Sequence, residues 1–123
     1  MRIFNINKKT NFVDDNNVFV GYDMEDYCCE YFGYVLTMSI PNDVDALYSD
    51  IKEEILEGYN FDKKFIKNIL TIPGRYDTGG AKCFRLEKDG EEVFLTIYNY
   101  HNGYYAHGFE FSCDGEILEE GCL

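Results

Sequence analysis

The side chains able to do covalent or metal chemistry are few enough to weigh singly. Five cysteines are present, two of them adjacent at Cys28-Cys29, and the only histidines are His101 and His107. A cysteine nucleophile needs a base within reach, and those two imidazoles are the only candidates. His107 shares a face with Tyr105, Phe109 and Phe111, where a packed ring fits better than a catalytic one, and His101 sits at a turn. A metal or small-ligand site would have to gather Cys28, Cys29, His101 and His107 from distant segments, because no Cys-x-x-Cys pair occurs. Reduced thiols acting as small apolar side chains are the plainer reading. Asp23, Glu25 and Asp26 are close in sequence, yet their spacing matches no calcium loop and lacks its central glycine. Neither a phosphate-binding glycine loop nor a serine elbow is present. We therefore expect no enzymatic activity and no cofactor.

What remains is charge. A formal net charge of −12 on 123 residues exceeds what solubility requires, and it is unevenly spread. Residues 1–13 carry +3, 14–57 carry −11, 61–88 carry +4 and 89–123 carry −8. Such a chain repels nucleic acid and attracts basic partners. The residues expected to touch a protein partner are Asp23, Glu25, Asp26, Asp45, Asp50, Glu53, Glu54 and Glu57, with Tyr22, Tyr27 and Tyr104 as exposed aromatic anchors. Carboxylates arrayed along a helix and its flanking loops can stand in for phosphates, so the expected partner is a protein with a basic, nucleic-acid-binding surface. A cytoplasmic location is expected, because no run of roughly 20 apolar residues is present and the N-terminus lacks the apolar block of a secretory signal.

The elements that must position these groups follow from periodicity. From Gly80 to Cys113 the alternation has a period of two: Phe84 and Leu86, then Val93, Leu95 and Ile97, then Phe109 and Phe111. Asp89-Gly90 and Asn102-Gly103 supply the turns, so this stretch reads as a three-stranded β-meander. Further strands are expected at residues 1–7, 18–20 and 31–40. Asn42 or Asp43 can cap a helix, and Val44, Leu47, Tyr48, Ile51, Ile55 and Leu56 recur at three- and four-residue steps up to Gly58. One main amphipathic helix over about 43–57 is thus expected to pack on one face of the sheet. Residues 59–72 fit a helix followed by a strand, or one strand. The expected architecture is a single α+β domain built on a twisted antiparallel sheet.

Two short motifs, Asp26-Tyr27-Cys28-Cys29-Glu30 and Asn102-Gly103-Tyr104-Tyr105, resemble a family of short phage and bacterial proteins of unknown function. The match spans roughly residues 18–113. It departs at His101, where a small hydroxyl residue is expected, and in the longer stretch between the motifs. The resemblance implies an accessory protein of a mobile element and carries no catalytic residues with it. In size and charge the chain is similar to anti-CRISPR proteins, phage inhibitors of host defence.

Overall fold

The computed structural model describes residues 1–25, 30–41, 48–69, 78–101 and 106–123, with the side chains of Glu30, Thr78 and His101 outside the description. The described residues form nine strands: β1 Arg2–Ile6, β2 Lys9–Val13, β3 Val18–Asp23, β4 Glu30–Thr37, β5 Asn60–Ile69, β6 Thr78–Lys88, β7 Glu91–His101, β8 Gly108–Cys113 and β9 Glu116–Cys122. They make two antiparallel sheets, ordered β1-β2-β3-β8-β9 and β4-β7-β6-β5.

The sheets face each other across a ring-filled interior. Phe12, Val20, Tyr22, Phe109 and Phe111 from the first meet Leu36, Phe84, Leu86, Leu95 and Ile97 from the second. Phe111 lies edge-on to both Phe84 and Phe61, with centroids 5.0 and 5.9 Å apart. A period of two puts every second residue on this inner face. The outer face of the four-stranded sheet is also buried: Val35, Cys83, Phe94, Tyr98 and Tyr100 form a second cluster, with Ile40 and Phe65 packed against it. Both faces of β7 are therefore apolar.

The expected main helix is overturned by the described residues, which include no α-helix. Within 43–57, residues 43–47 lie outside the description, 48–52 are not helical, and Glu53–Leu56 form a 3-10 turn. Among the described members of the supposed apolar stripe only Leu56 is fully buried, while Tyr48 is 75% and Ile55 46% exposed. Short polar side chains offer the backbone another arrangement here. Asp50 N–H donates to the Leu36 carbonyl (3.0 Å), the Ser49 hydroxyl accepts from Leu36 N–H (3.1 Å), and the Asp50 carboxylate accepts from Met38 N–H (2.9 Å). The segment thus covers the edge of β4, and the sheet face that a helix would have covered is occupied by the opposing sheet. The fold is two-layered β, not α+β.

The C-terminal meander is also corrected. β6 and β7 pair along eleven residues as the alternation implies, but the other edge of β7 is taken by β4 over eight. β8 therefore crosses to the other sheet and pairs with β3 and β9. Of residues 59–72, Asn60–Ile69 form β5, with a shift in register between Phe61 and Ile66, and 70–72 lie outside the description.

Candidate functional site

Antiparallel pairing sends successive turns to alternate ends of a sheet, so residues far apart in sequence arrive at one end. One end gathers the β2–β3 turn, the 3-10 turn, and the β6–β7 and β8–β9 hairpins. The Asp14 carboxylate fixes the first of these. It accepts from Asn16 and Val18 N–H (both 2.9 Å) and, across the sheets, from Phe61 N–H (2.8 Å). Asn17 then holds the β8–β9 hairpin, donating from its side-chain amide to the Asp114 carboxylate (3.0 Å) and accepting from Asp114 N–H (3.1 Å). On the other sheet, Lys88 Nζ donates to the Glu57 carbonyl (3.0 Å) and the Tyr59 hydroxyl to Glu91 (3.2 Å), seating the 3-10 turn beside the β6–β7 hairpin.

The four reversals, residues 14–17, 53–58, 87–92 and 113–116, carry ten exposed acids: Asp15, Glu53, Glu54, Glu57, Glu87, Asp89, Glu91, Glu92, Asp114 and Glu116. Lys88 is the one base within them. Residues 87–92, with Gly58 and Asn60, line a hollow of about 440 Å³ at this end. Arg85 lies behind it, 3.2 Å from Glu87 and 3.7 Å from Glu92, and also bonded to Asp62. The Lys64 backbone N–H, followed by the Arg85 guanidinium, holds the Asp62 carboxyl below its ordinary range.

A second hollow, of about 500 Å³, opens between the β1–β2 hairpin and Tyr34 of β4; Ile3, Thr10, Met24, Tyr34 and Glu53 line it. Here the Tyr34 hydroxyl donates to Glu53, and burial, reinforced by that carboxylate, pushes the phenol up to about 12. The adjacent polar groups are likewise matched to one another: Thr10 donates to Asn5 (2.7 Å) and Lys8 pairs with Glu25 (3.1 Å).

The residues expected to contact a partner thus divide. Glu54 and Glu57 are exposed at the acidic end, and Glu53 is exposed but bonded to Tyr34. Asp50 is exposed with its carboxylate on Met38 N–H. Asp23 and Glu25 lie at the far end of β3, where the Asp23 carboxylate accepts from Glu25 N–H (2.9 Å). Tyr22, expected at the surface, is instead fully buried, and its hydroxyl donates to the Tyr98 carbonyl (2.7 Å). The inner-face parity of β3 decides this, because Val20 and Tyr22 point the same way. Asp26, Tyr27, Asp45 and Tyr104 lie outside the described residues.

Of the alternative metal set, Cys28, Cys29 and the His101 side chain are outside the description. His107 is completely buried, stacked on Phe32 at 4.4 Å, with Nδ1 donating to the Asp23 carbonyl (2.5 Å). No group of metal-ligating side chains occurs among the described residues. Burial pushes the Cys83 thiol up, away from the thiolate that a nucleophile needs.

Sequence reasoning missed Asp15, the β6–β7 acids, Asp114 and Glu116 as one group. The available signal was that Asp89-Gly90 and Asp114-Gly115 are hairpin turns, the first with Glu87, Glu91 and Glu92 around it and the second followed by Glu116. Among the described residues no helix is long and apolar enough to cross a membrane. The chain matches no model of a protein family, no curated protein and no solved structure.

Proposed function

We propose that this is a small acidic binding protein whose turn-bearing end docks on a basic, nucleic-acid-binding surface of a partner protein. The observation that carries this reading is the gathering of ten exposed carboxylates on four reversals that hydrogen bonds hold in fixed relation. A preorganised array of negative charge raises the rate of encounter with a cationic surface and loses little side-chain freedom on docking. It stands in for a phosphate backbone without a helix. The resemblance to short phage and bacterial proteins favours a mobile-element inhibitor of host defence as the biological setting.

Glu54, Glu57 and Glu116 are exposed at this end, and their carboxylates bond to nothing among the described residues, so changing all three to lysine tests the surface without disturbing the fold. Immobilised protein is exposed to host lysate at low salt, and retained proteins are challenged with duplex DNA. Nucleic-acid-binding proteins should be retained, displaced by the DNA, and held at least tenfold less by the triple-lysine variant. Equal retention by the variant, or retention indifferent to DNA, removes the acidic end from function.

A further inference from the structure

The outer face of the five-stranded sheet bears a trough of about 480 Å³ whose lining includes Lys9, Asn11, Phe19, Gly21, Glu110 and Glu120. Four of these form one straight row across four strands: Asn11 is opposite Gly21, Gly21 opposite Glu110, and Glu110 opposite Glu120. Gly21 creates the depression. A Cβ built there would stand 2.9 Å from Phe19 Cε2 and 3.1 Å from Asn11 Oδ1, so the Phe19 ring lies across the glycine, where any side chain would displace it. Phe19 is half-buried on a face that its own sheet leaves open.

Glu110 and Glu120 are a like-charge pair directly opposite each other, an arrangement that destabilises a sheet. Neither carboxylate has a hydrogen-bond or ion-pair partner among the described residues, and Lys9, the base in the trough, is opposite Asp23 instead. The free protein thus holds two carboxylates with no bonded cation beside an aromatic ring, Lys9 being the one base in the lining. A neutral ligand could cover the ring but would leave the charges opposed. An ammonium would neutralise charge as a point, without the planar fork that engages two carboxylates at once. A guanidinium does both, because it stacks on an aromatic face and donates in-plane to paired oxygens.

We propose that this trough binds an arginine side chain presented by a basic polypeptide, with Phe19 as the stacking surface, Glu110 and Glu120 as the acceptors and Asn11 closing the row. The site is on the sheet face rather than at the turn end, so it goes beyond the reading given above and does not depend on it.

The test is an NMR titration of the 15N-labelled protein with capped Gly-Arg-Gly, against the same tripeptide carrying citrulline or lysine. Saturable shifts at the amides of Asn11, Gly21, Glu110 and Glu120 are expected with arginine, with at least tenfold weaker binding of citrulline. The Glu110→Gln, Glu120→Gln double variant should bind arginine at least tenfold more weakly at an equal or higher Tm, since relieving the opposed charges favours the fold. Phe19→Leu should weaken binding with both carboxylates retained. The triple-lysine variant of the turn end should still bind the arginine peptide, which keeps failure at one site distinct from failure at the other. Equal binding of citrulline, shifts outside the trough, no saturable shift, or a lower Tm for the double variant overturns the proposal.

Discussion

Asp14 joins the two sheets through a buried carboxylate. It is 5% exposed, and its two oxygens accept three backbone N–H groups, one from the opposite sheet. Removing the acceptor strands donors in the interior, each at a penalty of about 1–3 kcal/mol. Asp14→Ala should therefore lower unfolding free energy by about 3 kcal/mol or more, read as a fall in the urea midpoint at constant m-value. Asp14→Asn should retain the bonds to Asn16 and Val18 and lose the one to Phe61, for roughly half that effect. A loss below about 1 kcal/mol for alanine would contradict the role assigned to this carboxylate. Nothing in Asn11 to Asn17 marks which acid is buried, because the deciding donor comes from Phe61.

Tyr100 is the opposite case, a buried hydroxyl with no hydrogen-bond partner among the described residues. Burial pushes its phenol up to about 12, against about 10 in an unfolded chain. The native state therefore keeps a proton that the unfolded state releases, so stability present below pH 10 is lost as pH rises from 10 through 12. Tyr34, also raised to about 12, adds to the same alkaline loss. Tyr100→Phe should be neutral or stabilising by about 1 kcal/mol at pH 7 and should flatten the decline of Tm between pH 10 and 12. A destabilised variant with an unchanged alkaline slope would show that this hydroxyl is satisfied in the fold.

At the scale of elements, two of the outermost strands, β5 and β9, expose charge of one sign each. β5 exposes Lys63, Lys64 and Lys67 and carries a register shift, whereas β9 bears Glu116, Glu119 and Glu120. An open sheet edge is a template for another chain, and charge together with irregular register suppresses that pairing. Lys64→Val with Lys67→Val should produce concentration-dependent association, visible as rising mass in size-exclusion light scattering. A variant that stays at the wild-type mass at every concentration would deny the lysines this role. The strands were legible where alternation is unbroken, as in Lys82–Lys88 and Val93–Tyr100. Their turn was legible too: Asp89 and Gly90 adopt φ of 51° and 82°, the positive values that Asp-Gly hairpins take. Residues 59–72 were ambiguous because the irregularity between Phe61 and Ile66 breaks the period. The helix over 43–57 was misread because apolar spacing of three and four records only where a side chain sits along the chain, not whether a surface is available to receive it.

At the scale of the molecule, alternation, turn dipeptides and charge were determined by the sequence, since each depends on neighbours within a few residues. The sequence also determined that the chain is strongly acidic. Only the tertiary structure decided which strands share a sheet. β7 pairs with β4, some sixty residues earlier, and that pairing displaces β8 to the opposite layer. The same pairing decided where charge accumulates, by delivering four distant reversals to one end and aligning Asn11, Gly21, Glu110 and Glu120 into a single row. Strand partnership is a competition among edges with similar local patterns, settled by burial on both faces at once. That cooperative choice has no signature in any short window of residues.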